Sequence, residues 1–77
     1  DFIRKQYNRM NITINGEVLT VKEQMKLNEF VELRLNGKEP RGIAVALNEM
    51  IIPKSKWNET VLNENDNVEI VHAVQGG

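Results

Sequence analysis

The stretch LNEFVELRLNGKEPRGIAVAL, residues 27–47, sets the architecture of this chain. Leu27, Phe30, Val31 and Leu35 recur at spacings of three and four, with Met25 or Leu33 at the margin, which makes one apolar stripe on a helix. Lys26, Glu29, Glu32 and Arg34 fall mostly on the other side, and the pattern predicts a helix over residues 26–35. Asn36-Gly37 stops it, because glycine accepts the left-handed cap conformation without a steric penalty. Pro40 then bars its continuation. Ile43-Ala44-Val45-Ala46-Leu47 follows as a nearly continuous apolar run between Gly42 and Asn48, the signature of a central strand covered on at least one face.

Upstream, residues 11–15 alternate polar and apolar, placing Ile12 and Ile14 on one face of a strand. Asn15-Gly16 is a strong hairpin signal, and Glu17–Val21 reads as the returning strand. Downstream, Asn48-Glu49 turns the chain into a short strand, Met50-Ile51-Ile52, ended by Pro53. Ser55-Lys56-Trp57 reads as a single helical turn. Thr60-Val61-Leu62 then runs into a polar turn, Asn63-Glu64-Asn65-Asp66-Asn67. Residues 68–74 form the last strand, with Val68, Ile70 and His72 on the face toward the helix and Val71 and Ala73 outward. Hairpin, helix, strand, short strand, turn and strand make an α+β fold of the β-grasp arrangement: a mixed sheet of four to five strands against one main helix.

The chain has 77 residues, enough for one domain with a thin core that contributes no more than ~3–5 kcal/mol without staples. It has no cysteine, which removes disulfides, thiolate metal sites and a cysteine nucleophile. The net charge of −1 argues against non-specific nucleic-acid binding, and the short apolar runs argue against a membrane span. A cytoplasmic location is the expectation. Residues 1–9 hold three of the ten basic residues and one of the eleven acidic ones, and Met10-Asn11-Ile12 reads as a natural start. We therefore divide the chain into an extension, residues 1–9, and a domain, residues 10–77.

Few side chains here can carry catalysis. His72 is the only histidine, and without a positioned base Ser55, Thr13, Thr20 and Thr60 have no route to an activated nucleophile. The carboxylates are scattered rather than clustered for a metal, and the glycines at 16, 37 and 42 stand singly at turns rather than in a phosphate loop. The Asn63–Asn67 run lacks the glycine and closing glutamate of a calcium loop. His72 reads as a strand residue facing the core edge or the helix, and Trp57 as a lid over one end of the core rather than a binding anchor.

What remains is Gln75-Gly76-Gly77. Two glycines after a strand add nothing to stability, since glycine loses the most freedom on ordering and packs nothing. Their value is chemical. The carboxylate of Gly77 is uncrowded, and Gln75 and Gly76 can thread a narrow channel. Residues 73–77 span at most ~14–17 Å when stretched, enough to reach into a partner's active site. Activation by ATP to an acyl-adenylate gives that carboxylate a leaving group, which a sulfur nucleophile can displace to form a thiocarboxylate. Val71, Ala73 and Val74, beside this tail, are the candidate docking residues.

Across residues 10–77 the sequence resembles the ThiS sulfur carriers of thiamine biosynthesis. The resemblance rests on Met10-Asn11-Ile12 with Asn15-Gly16, Leu27-Asn28-Glu29-Phe30-Val31, Ala44-Val45-Ala46-Leu47-Asn48, Ile51-Ile52-Pro53-Lys54 with Trp57, Asp66, and Gly76-Gly77. It departs at residues 1–9 and in the rather long loop from Asn36 to Gly42. It implies a carrier that is not itself an enzyme and binds no cofactor. A ThiF-type, E1-like enzyme would adenylate Gly77 with ATP, a cysteine desulfurase route would supply sulfur, and a ThiG-type thiazole synthase would receive it. The small subunit of molybdopterin synthase shares the fold and the tail, and a ubiquitin-like protein modifier would use the same activated carboxylate to form isopeptide bonds. A pure interaction module, with an incidental tail, is a further class.

Overall fold

The computed structural model describes residues 8–38 and 41–72. Strands β1 (Arg9–Ile14) and β2 (Glu17–Lys22) form an antiparallel hairpin, in register from Arg9–Lys22 to Ile14–Glu17. Asn15 and Gly16, at φ 48° and 88°, make its two-residue turn. Positive φ at both positions matches the twist of the flanking strands, and these two residue types accept it readily. The polar–apolar alternation survives folding, with Met10, Ile12 and Ile14 buried. The strand begins at Arg9, and the Asn8 carbonyl accepts from Glu23 N–H at 3.0 Å, so both residues are tied to the sheet.

Helix α1 (Leu27–Leu35) crosses over the sheet and buries Leu27, Phe30 and Val31. Its first turn is fastened twice. Glu29 Oε1 accepts from Lys26 N–H at 3.0 Å, and Thr60 O accepts from Leu27 N–H at 2.7 Å. Leu62 N–H donates to Met25 O at 2.9 Å, and Lys26 and Val61 form an isolated bridge. These backbone bonds draw Met25 into the core, while Leu33 is left exposed. The helix ends at Asn36, in the left-handed conformation, with Asn36 N–H on Glu32 O at 3.1 Å.

β3 (Ile43–Leu47) and β4 (Met50–Ile51) follow as a second hairpin. Ile52, read from sequence as part of β4, lies just past it, with its N–H on Val45 O at 2.9 Å and its side chain against the core. A 3₁₀ helix (Lys54–Glu59) occupies the place of the expected single turn and buries Trp57. The indole N–H donates to Ile52 O at 2.9 Å, so the ring has both its apolar face and its polar atom satisfied inside the fold.

β5 (Asn67–His72) lies between β1 and β3, parallel to the first and antiparallel to the second. The five strands run in the order β2-β1-β5-β3-β4, with the core between this sheet and α1. This is the expected α+β, β-grasp arrangement. Two local expectations are corrected. Asp66, read as part of a solvated turn, is buried: its Oδ2 accepts from Asn63 N–H at 2.7 Å and its Oδ1 from Asn48 Nδ2 at 3.0 Å. His72, expected to face the core edge or the helix, is exposed, so the core under β5 ends at the half-buried Ile70.

Candidate functional site

β5 is the strand that leads toward residues 73–77, and its position in the sheet follows from its sequence. Val68 packs inward and is fully buried, Ile70 packs against the core, and Glu69 and Val71 point the other way. The parallel pairing with β1 covers Thr13–Asn67 and Ile14–Val68. Beyond it the Asn15 side chain continues the ladder: its Nδ2 donates to Ile70 O at 3.3 Å and its Oδ1 accepts from Ile70 N–H at 3.0 Å. At the start of β5, Asn48 Oδ1 accepts from Asn67 N–H at 2.9 Å, and Asn48 N–H donates to Asn67 O at 2.7 Å. Two turn asparagines thus hold the strand at both ends.

The face of the sheet away from α1 has an apolar row beside this strand. Residues directly opposite one another in an antiparallel pair share a face. Val71 is opposite Ala44, Glu69 is opposite Ala46, and Ala46 is opposite Ile51. Val71 is 59% exposed and Ile51 65%, with the small Ala44 and Ala46 between them. Of the expected docking residues, Val71 therefore sits on an open face next to the strand end. Ala73 and Val74, together with Gln75, Gly76 and Gly77, lie outside the described residues. Sequence reading missed Ala44, Ala46 and Ile51 as neighbours of Val71; their apolar character was visible, but the β5–β3–β4 register that aligns them was not.

The helix side of the molecule carries a cleft of about 640 Å³ between α1 and the 3₁₀ helix, lined among others by Val31, Leu35, Trp57, Lys38 and Lys54. No β5 residue lines it, so it stands apart from the strand that leads to the tail. Asn28 Oδ1, on the same helix, is buried without a hydrogen-bond partner, and nothing in the structure explains it. Among the described residues no three His, Asp or Glu side chains gather in a way that holds a metal ion, and no helix is long and apolar enough to cross a membrane. What the described residues offer is a strand tied at Asn67 and Ile70 by turn asparagines, an open face beside it on which Val71, Ala44, Ala46 and Ile51 accompany Glu69, and a chain that continues from its end.

A five-stranded β-grasp with one covering helix and a Gly-Gly sequence beyond its last strand defines a ubiquitin-like carrier domain. The ThiS family model matches residues 6–77, and the chain belongs to this family, the sulfur carriers of thiamine biosynthesis. The crystal structure of the thiamine biosynthesis protein ThiS from Geobacter metallireducens superposes with a TM-score of 0.74 at 27% identity, covering 88% of this chain and 100% of that one. The solution structure of a thiamine biosynthesis protein from the same organism gives a TM-score of 0.67, covering 88% of each. In sequence, the uncharacterized protein ycf40 of Pyropia yezoensis is 31% identical over 71 residues, covering 92% of this chain and 97% of its own length. A thiazole synthase of Paramagnetospirillum magneticum is 35% identical over 69 residues, which is 88% of this chain but 20% of that protein.

Proposed function

We propose that this chain carries sulfur as a thiocarboxylate on Gly77 and delivers it to a thiazole synthase. The observation that carries this reading is the reach of the ThiS family match, which extends past β5 through Gly76 and Gly77. The chemistry follows from the group. A carboxylate resists attack by nucleophiles, so the Gly77 carboxylate oxygen first attacks the α-phosphorus of ATP on an E1-like, ThiF-type enzyme, releasing pyrophosphate. A persulfide drawn from a cysteine desulfurase route then displaces AMP from the acyl carbon to give an acyl disulfide. A second thiol cleaves its S–S bond, releasing the thiocarboxylate and leaving a disulfide between the two thiols. The domain itself supplies binding and reach, and the enzymes supply catalysis.

Docking is assigned to the open face beside β5. Val71, with Ala44, Ala46 and Ile51 in the same row and Ala73 and Val74 further along the sequence, gives a partner an apolar surface at the root of the tail. Gln75 and Gly76 then thread the channel of the enzyme. The thiazole synthase relative supports the choice of acceptor: a sequence of this kind occupies one fifth of that protein, so carrier-like sequence and thiazole synthase share one polypeptide there.

Intact mass spectrometry tests the proposal. The chain is incubated with ATP, an E1-like adenylating enzyme active on its own carrier, and a sulfide source. A mass gain equal to exchange of one oxygen for sulfur, lost on deletion of Gly77, is expected. An unchanged mass while the enzyme converts its own carrier would overturn it.

A further inference from the structure

The chain contains two Asn-Gly dipeptides, Asn15-Gly16 and Asn36-Gly37, and the fold sets up a near-controlled comparison between them. Both asparagines are exposed and left-handed, at φ 48° and 55°. Both glycines have φ close to +90°, and a Cβ added to either meets nothing within 4 Å. The difference is in the asparagine side chains. Asn15 has both ends of its amide engaged by the Ile70 backbone, at 3.3 and 3.0 Å. Asn36 engages through its backbone, with its N–H on Glu32 O; among the described residues neither its carboxamide nor Gly37 N–H has a hydrogen-bond partner.

We propose that Asn36-Gly37 is a site of spontaneous covalent modification in this protein, and that the fold protects Asn15-Gly16 from the same reaction. The Gly37 nitrogen gives its proton to water or hydroxide and attacks Cγ of Asn36. A new N–C bond closes a five-membered succinimide, and the C–N bond to the side-chain amide breaks, releasing ammonia. Water then opens the ring. Attack at the side-chain carbonyl leaves an ordinary aspartyl residue, and attack at the main-chain carbonyl leaves an isoaspartyl residue with one more carbon in the backbone. No oxidant, reductant or cofactor is needed. Glycine on the C-terminal side favours closure because it has no Cβ to crowd the attacking nitrogen. At Asn15 the carboxamide must first leave two hydrogen bonds, which lowers the population able to react.

The consequences are local and unequal. The product at position 36 places a carboxylate at the C-terminal end of α1, where the helix dipole disfavours negative charge. The turn in which Lys38 N–H donates to Leu35 O loosens, while the Asn15–Ile70 tie that holds β5 stays intact. The carrier therefore ages first at a helix end away from the strand that leads to its reactive tail.

The test is peptide mapping by mass spectrometry of the full chain held at mildly alkaline pH, with an isoaspartyl methyltransferase assay to confirm the rearranged product. Product is expected to accumulate at Asn36 at least about tenfold faster than at Asn15, the factor set by opening two hydrogen bonds. In strong denaturant the two sites are expected to react at equal rates, and Asn36→Gln is expected to abolish the early isoaspartyl signal. Equal rates in the folded protein, faster loss at Asn15, or a difference that persists in denaturant would each overturn the proposal.

Discussion

Asn15 and Ile70 face each other as though both were strand residues: the asparagine carboxamide donates to Ile70 O at 3.3 Å and accepts from Ile70 N–H at 3.0 Å. One side chain does two jobs here. Its backbone takes φ 48° to turn the β1–β2 hairpin, and its amide extends the β1–β5 ladder past Ile14–Val68. The substitution Asn15→Gly separates the two, since glycine keeps the turn and removes the amide. We expect it to destabilise the domain by about 1–2 kcal/mol, the net value of two partly exposed hydrogen bonds. Hydrogen exchange at Ile70 N–H is expected to rise in the same variant; unchanged protection there would show that the side-chain ladder holds nothing.

Asp66 makes a second prediction. It is 8% exposed, and its two oxygens accept from Asn63 N–H at 2.7 Å and Asn48 Nδ2 at 3.0 Å. Removing the carboxylate strands a backbone donor and an amide donor together. Asp66→Ala is expected to cost about 2–3 kcal/mol by denaturant titration, because bonds to charged groups sit at the high end and a buried unmet donor adds a desolvation penalty. Asn48→Ala with Asp66→Ala should cost less than the sum of the singles, since the two side chains share one bond. Strict additivity would break that link.

The contrast between these residues and the rest of the fold shows what sequence reading can reach. Helix α1 and strand β3 were legible to within a residue, because Leu27, Phe30, Val31 and Leu35 repeat at helical spacing and residues 43–47 are a bounded apolar run. The choice between Met25 and Leu33 was not legible. It is settled by backbone bonds to Thr60 and Leu62, which lie far along the chain. The burial of Asp66 was hidden for the same reason: its partner Asn48 is 18 residues away, and a polar run reads as solvent-facing until that partner arrives. Alternation put His72 on the inner face of β5 but says nothing about where the covering elements end. The role proposed for Gly77 rests on residue type and lies outside the described residues, whereas the docking row needed the strand register.

That row supplies a third prediction. Val71→Asp puts a charge on the open face beside β5 without entering the core, as Val71 is 59% exposed and opposite Ala44. Thermal unfolding is expected to change little, since surface substitutions generally fall within about 0.5 kcal/mol. Affinity for the adenylating enzyme is expected to fall at least about tenfold, roughly 1.4 kcal/mol, because a desolvated charge opposes an apolar contact. Ile51→Asp, further along the row, should weaken binding in the same direction. Leu33→Asp, on the helix, should leave it unchanged although Leu33 is 64% exposed. Equal losses from Leu33 and Val71 would move the docking surface away from β5.

The β3–β4 turn offers a change in the opposite direction. Asn48 and Glu49 have φ of 51° and 71°, the double positive pattern of a two-residue hairpin, yet only the first is a residue type suited to it. A non-glycine side chain in the left-handed region costs about 1–2 kcal/mol, and asparagine offsets part of that through local hydrogen bonds. Glu49 is exposed and has no hydrogen-bond partner among the described residues, so none of them offsets its cost. Glu49→Gly removes the strain and adds unfolded-state entropy, which returns about 0.5–1 kcal/mol. The net expectation is a gain of about 0.5–1 kcal/mol in a denaturant titration. Asn48→Gly, at the neighbouring position, should do the reverse. It relieves the same backbone angle but loses the amide that accepts from Asn67 N–H and donates to Asp66, so it is expected to destabilise by about 1–2 kcal/mol. If both glycine variants raised stability, the turn would be governed by backbone strain alone and the Asn48–Asp66 bond would carry no weight.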